Sequence, residues 1–436
     1  MLPRRYALAL AAVLVAGVLA RVAVIAWIPT QPVSDFYGFF RVAQNLAATG
    51  RFEAKPGVPD AGRSPAYPVL LSFAFRAVPD SELAAAKAVN VALFAAAALA
   101  GAALARRLWG EAAGLWTAAL LAFLPRPLLM TDLVASENLA APLLFLFLIA
   151  CAASWRRTSL AAAAAVGALA GLLCLTRAVL YAVPLIWLAG AVAAKTPRRR
   201  FLGELLLILA VEHAVLLPWA IRNARAIGRL TPFHSVGGVG LFIANNAHAT
   251  GEWYRWGDDL ERLRPGVIGR GPAAIDEAAR DEALRWIRAN PGAAARGYLR
   301  RLKTILADDG FPAAFTIFAE EIPAPVELKP VLPEPHPVKE HAGAVRALLR
   351  LASVLLALAA LGGFVLLARG PRAERALAIG FLAAAVYLPI AAAASAANGR
   401  SRWMSEDAVM PVAGLSVAYA IGKKEGRRSG RPVATP

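Results

Sequence analysis

Cysteine is almost missing from this chain: 436 residues contain two, Cys151 and Cys174. Both fall inside apolar runs, near opposite faces of the membrane in the threading below, so no disulfide is expected between them. The loops expected outside contain none, which excludes a disulfide framework. Histidine is scarce as well. His213, His234, His248, His336 and His341 show no HExxH spacing, and clustering gives no support for a metal site. Acidic residues are outnumbered, 29 against 47 basic, for a net charge of +18. The basic excess comes in short clusters such as Arg106-Arg107, Arg198-Arg199-Arg200 and Lys423-Lys424, without interleaved aromatics. That pattern argues against a nucleic-acid partner and marks cytoplasmic loops. The glycine-rich stretch Ser235-Val236-Gly237-Gly238-Val239-Gly240 lacks the Walker lysine and the strand–helix setting, so it implies no nucleotide fold. Internal repeats are absent, and no segment is a soluble domain large enough to fold apart from the rest.

Apolar residues are abundant, 58% of the chain, which places it among polytopic helical membrane proteins. About 20 apolar residues cross a hydrocarbon core of roughly 30 Å as a helix. Ten such segments are expected, at residues 6–28, 83–104, 112–130, 138–153, 160–175, 178–194, 201–220, 344–367, 376–394 and 409–421. Threaded in alternation, they put every short basic cluster on one side and both termini in the cytoplasm. The basic start is followed by an apolar run to Ile28, broken only by Arg21. That run exceeds a signal-peptide core and predicts an uncleaved first span. Three regions follow: a catalytic transmembrane module at 1–220, whose first outer loop is 29–80; an extracytoplasmic loop region at 221–343; and C-terminal spans with a basic tail at 344–436.

The outer loops have helical patterning of their own. Phe36, Phe39, Phe40, Ala43 and Ala47 recur at helical spacing, as in an amphipathic helix lying in the interface. Residues 273–289 and 292–306 predict two more helices, the second carrying Arg296, Arg300, Arg301 and Lys303 with Tyr298. Such a face either rests on anionic headgroups or is simply solvated. Residues 323–337 are proline-rich and read as an extended connector.

Several side chains could carry chemistry. Asp35 lies just past the first span, in Ser34-Asp35-Phe36-Tyr37; it reads either as a helix-start acid or as a base for an incoming hydroxyl. Arg63 opens Arg63-Ser64-Pro65-Ala66-Tyr67-Pro68, where the two prolines stiffen the segment and a guanidinium suits phosphate. Glu137 starts the fourth span, where the macrodipole alone already favours an acid. Arg222 follows Pro218-Trp219 at the end of the seventh span. Glu212, within that span, is expected to sit in an internal ion pair. Arg400 and Arg402 flank the last outer loop.

Taken in order, these motifs resemble a family. Asp35 with Tyr37, the Arg63 segment with Tyr67, Ser136-Glu137, Pro218-Trp219-Ala220-Ile221-Arg222-Asn223, Gly237-Gly238 with Asn245-Asn246, and Arg400-Ser401-Arg402-Trp403 are similar to bacterial GT-C-fold glycosyltransferases. The family is the protein-mannosyltransferase and lipid A aminoarabinose-transferase superfamily, and the resemblance covers nearly the whole chain. It implies an all-α GT-C membrane fold and transfer of a sugar from a polyprenyl phosphate on the extracytoplasmic face of a bacterial inner membrane. It casts Asp35 as the catalytic acid of the first outer loop and Glu137 as a second catalytic candidate. Arg63, Arg222, Arg400 and Arg402 become donor-phosphate contacts, with Tyr37, Tyr67, Asn245 and Asn246 lining the substrate. Many relatives carry a second carboxylate after the catalytic Asp; Phe36 stands there in this chain, which disfavours a protein acceptor.

The expected partners are a polyprenyl-phosphate sugar donor, a lipid or glycan acceptor and membrane lipids. No cofactor is implied; a divalent metal is compatible but has no ligand motif behind it. Two alternatives stay open: a transporter or lipid-linked-glycan flippase, and an oligosaccharide ligase or polymerase using a diphosphate-linked donor.

Overall fold

The computed structural model describes residues 3–28, 30, 32, 34–60, 62–156, 159–232, 237–249, 256–307, 341–394 and 401–429. All ten apolar segments are helical. They form α1 (Arg4–Trp27), α4 (Glu82–Trp109), α5 (Glu111–Phe123) with α6 (Pro125–Met130), α7 (Glu137–Arg156), α8 (Leu160–Thr176), α9 (Pro184–Ala193), α10 (Arg198–Ile227), α15 (Ala342–Arg369), α16 (Arg372–Ala392) and α17 (Ser401–Ser429). Six of them are long and apolar enough to cross a membrane. The loop after α1 holds α2 (Ser34–Thr49), a two-stranded antiparallel ribbon of β1 (Glu53–Lys55) and β2 (Val58–Pro59), and α3 (Ala66–Ala77). The long region after α10 holds α11 (Gly237–Ala244), α12 (Gly257–Leu263), α13 (Pro272–Ala289) and α14 (Pro291–Ala307). The proline-rich connector expected at 323–337 lies outside the described residues.

Two expected spans are broken rather than continuous. The segment 112–130 divides at Leu124, which is extended at φ −61°, ψ 135°. Pro125 disfavours helical geometry in the residue before it and supplies no N–H. The carbonyl of Leu121, four residues before Pro125, therefore loses its helical donor. Arg21 replaces it: Nη2 donates to Leu121 O at 2.9 Å and Nη1 to Ala122 O at 2.9 Å. Its Nε donates to Thr131 Oγ1 at 3.0 Å, and the guanidinium stacks 3.3 Å from the Phe94 ring centroid. An arginine that interrupts the first span thus satisfies a helix end that proline leaves bare. In the same way 178–194 is a 3-10 turn (Ala178–Leu180) followed by α9, which begins at Pro184.

Helix α7 lies at the centre, with Leu144, Phe145, Phe147 and Cys151 fully buried. One apolar cluster joins Phe94, Leu121 and Phe147 to Leu377, Phe381 and Met410, so helices from both ends of the chain share a core. At the margin, α1 and α15 leave Leu8, Leu19, Leu355 and Leu358 exposed, as lipid-facing surfaces require. Cys151 and Cys174 are both free thiols.

Helices α8 and α10 meet through Gly167 and Gly171, a G-x-x-x-G pair that lets two backbones approach. A Cβ at Gly167 would strike the Ile208 carbonyl and lie 3.0 Å from Val211 Cβ. Backbone cannot yield as a side-chain tip can, so Gly167→Ala is expected to destabilise the protein by about 1–3 kcal/mol. A thermal melt in detergent unchanged from the parent would contradict this packing.

Candidate active site

The first loop is built on α2. Its apolar stripe is where the spacing puts it: Phe36 and Ala43 are buried, and Phe39, Phe40 and Ala47 pack beside them. The surface beneath the stripe is protein, with Tyr67, Leu71 and Phe75 of α3 and Met130 and Leu133 in the same cluster. Phe36 therefore points into the core, while its neighbour Asp35 is exposed in the first turn of α2. The helix N-terminus favours the ionised carboxylate there. Tyr37 is half-buried on the same turn.

Gly38, one turn after Asp35, is the contact point for Arg63. A Cβ at Gly38 would coincide with the Arg63 guanidinium, striking Nε, Cζ and Nη2. Residues three apart on a helix have Cβ positions about 5–6 Å apart, so Arg63 packs on α2 one turn from Asp35. Arg63 Nη1 is also held by Asp60 Oδ2 at 2.5 Å. Asp60 is buried, and its Oδ1 accepts from Gly62 N at 2.9 Å.

Arg222 reaches the same residue from α10. Its Nη1 donates to Asp60 O at 2.7 Å and its Nη2 to Phe52 O at 2.7 Å. The guanidinium also sits 4.8 Å from the Trp219 ring centroid and 5.3 Å from that of Phe52. Asp60 thus joins Arg63 through its carboxylate to Arg222 through its carbonyl. The sequence reading missed this residue; the available signal was a lone acid, three positions before Arg63, in a turn-forming stretch.

Glu137 is placed differently. It is buried, with Oε1 2.6 Å from Arg177 Nη1. It also lines a cavity of about 60 Å³ with Arg21, Arg126, Glu406 and Asp407. Arg126 bridges to Glu406 at 3.2 Å, and Ser353 Oγ donates to Glu406 Oε1 at 3.0 Å. Neither Asp35 nor Arg63 is among the residues lining it. This charged interior was not anticipated, because its members come from five separate helices. Nearby, Lys87 pairs with Asp132 at 2.6 Å and Thr30 Oγ1 donates to Asp132 O at 3.1 Å, tying the end of α1 to α4. Burial raises the Asp132 carboxyl above its ordinary value, and the Lys87 charge opposes that.

The remaining expected residues are structurally engaged. Tyr67 is fully buried, donating to Asn90 Oδ1 at 2.7 Å. Asn245 and Asn246 close the end of α11 by donating to Leu241 O at 3.0 Å and Phe242 O at 2.6 Å. Arg400 lies outside the described residues, as does the side chain of Arg402. Among the described residues, no cluster of three or more His, Cys, Asp or Glu has a metal-binding arrangement.

The ion pair expected for Glu212 is not found among the described residues. The side chain is 1% exposed, and Oε1 has no hydrogen-bond partner. Its backbone carbonyl lies in the α8 interface, 3.0 Å from the position of a Cβ on Gly171. An unsatisfied buried acceptor costs about 1–3 kcal/mol. Glu212→Met is accordingly expected to raise the midpoint of thermal unfolding, and a lowered midpoint would show that the carboxyl has a partner.

No family model and no curated protein matches the chain. Among solved structures, it is similar to the archaeal oligosaccharyltransferase AglB from Archaeoglobus fulgidus in complex with an inhibitory peptide and a dolichol-phosphate. The TM-score is 0.57 at 16% identity, over 98% of this chain and 51% of that one. The apo form of the Archaeoglobus fulgidus oligosaccharyltransferase gives 0.55 at 16%, over 97% and 51%. ArnT from Cupriavidus metallidurans bound to undecaprenyl phosphate gives 0.44 at 14%, over 97% and 79%. The chain spans about half the length of the oligosaccharyltransferase it matches. At 16% identity the likeness to the oligosaccharyltransferase is one of fold, and the fold is the all-α polytopic GT-C architecture expected from the sequence.

Proposed function

We propose that the chain is a membrane glycosyltransferase moving a sugar from a polyprenyl-phosphate donor to a lipid or glycan acceptor on the extracytoplasmic face. The reading rests on one arrangement: Arg63 packed on α2 at Gly38, one turn from Asp35, with Arg63 and Arg222 both attached to Asp60. An acid and two guanidinium groups at one end of a lipid-embedded bundle suit a substrate with a hydroxyl nucleophile and a phosphate leaving group. The acceptor oxygen attacks the anomeric carbon as the bond from that carbon to the phosphate oxygen breaks, inverting its configuration. Asp35 takes or orients the hydroxyl proton. The polyprenyl phosphate leaves with the electron pair, its charge met by Arg63 and, where Arg222 turns from its carbonyls, by Arg222 as well. Glu137, paired with Arg177, holds the charged interior in place in this scheme.

The test is reconstitution in liposomes with a labelled polyprenyl-phosphate sugar and an extract of membrane lipids and glycans. The expected result is a labelled acceptor and free polyprenyl phosphate. Label that crosses the bilayer still attached to its lipid would identify a flippase. Consumption of a diphosphate-linked oligosaccharide alone would identify a ligase.

A further inference from the structure

A second cavity, of about 210 Å³, opens between the end of α11 and helices α13 and α14. Its walls carry Asn246, Trp286, Arg296, Arg300 and Arg301 among small residues, and no carboxylate. Arg301 is the fixed part. It is 2% exposed, donating from Nε to Ala393 O at 2.8 Å and from Nη1 to Ala244 O at 2.7 Å. These carbonyls lie at the C-terminal ends of α16 and α11, where a cation is favoured by the helix dipole. Gly297 leaves the space beside it, since a Cβ there would lie 3.2 Å from Arg301 Nη1. Arg296 and Arg300 are exposed and share a helix face. Neither guanidinium has a hydrogen-bond or ion-pair partner among the described residues. Three guanidinium groups around one concavity repel each other until an anion enters, and their donors converge on tetrahedral or planar oxyanions. The wall of Trp286 gives a bound group an aromatic surface.

We propose that this cavity is an anion site that takes the phosphate or carboxylate of the acceptor. Arg63 and Arg222 already serve the donor phosphate in the reading above, and naming the ligand as acceptor rests on that reading. Anion binding itself does not.

The experiment uses the full chain in phosphatidylcholine nanodiscs, titrated with inorganic phosphate. Emission of Trp286, taken as the difference from a Trp286→Phe variant, reports this site. R296A/R300A is expected to weaken phosphate binding at least tenfold with an unchanged thermal midpoint, and R296K/R300K to weaken it less. Asp35→Asn should bind phosphate like the parent. Competition by phosphatidylglycerol in the nanodisc would assign the anion to a lipid headgroup; its failure would assign it to a soluble glycan group. Parental phosphate affinity in a folded R296A/R300A protein would overturn the proposal. Arginine-dependent binding in a protein that transfers no sugar would leave the anion site standing and remove the acceptor from it.

Discussion

Asp35→Asn is expected to lower sugar transfer about 10²–10⁴-fold, the range for loss of a positioned acid or base. The substitution keeps the shape of the side chain and removes the charge. Asp35 is exposed in the first turn of α2, so the substitution disturbs no packed surface. Lost attraction to the helix N-terminus costs about 0.3–1 kcal/mol, too little to unfold the loop. A purely structural role therefore predicts normal turnover in the variant, and a catalytic role predicts its collapse at normal protein level. Transfer of labelled sugar in membranes containing equal amounts of each protein distinguishes the two.

Gly38→Ala is the second large effect, and it falls on activity far more than on stability. The added methyl occupies the position of the Arg63 guanidinium. Arg63 is a flexible side chain and can swing away, so the clash itself costs little, but the swing breaks its ion pair with the buried Asp60. Alanine is a better helix residue than glycine by roughly 1 kcal/mol, which offsets part of the lost pair, so the melting temperature should fall only a few degrees. Turnover should fall about 10²–10³-fold, because the displaced cation no longer stabilises the leaving phosphate, the scale of one removed charge-stabilising donor. Arg63→Ala should show the same loss, and combining the two should add little, as expected of groups acting through one contact. Full activity in Gly38→Ala would mean that Arg63 does not act from this position.

Much of the architecture was legible from pattern alone. Runs of Ala, Leu and Val separated by basic clusters locate all ten helical segments, because a bilayer imposes length and apolarity on whatever crosses it. The stripe from Phe36 to Ala47 located α2 for the same reason of periodicity. Prolines gave warning that two segments break, at Pro125 and Pro184, although the continuous apolar character there masked it. The G-x-x-x-G of α8 was present in the sequence too, but only the helix it meets gives it meaning.

The candidate site was legible in its members more than in its assembly. Asp35, Arg63 and Arg222 stand out by position, yet 28 residues separate the first pair and 159 the second. Nothing local indicates that Asp60 joins the two arginines, or that Gly38 makes the space for Arg63. Tyr67 illustrates the opposite outcome. An aromatic next to a candidate arginine looks available for substrate, but α3 turns it inward to Asn90.

By itself, the sequence determined that the chain is a polytopic helical membrane protein, where its ten apolar segments lie, and that a carboxylate follows the first of them. Those properties follow from composition and period, which act residue by residue. Tertiary structure alone decided that Phe36 is core while Asp35 is surface, that Arg21 completes the helix end broken at Pro125, and that Glu137 pairs with Arg177. Each of those outcomes depends on a hydrogen bond or contact between helices distant in sequence. The helix that carries the carboxylate after the first span receives Arg63 at Gly38 only when α2 and the loop before α3 pack together.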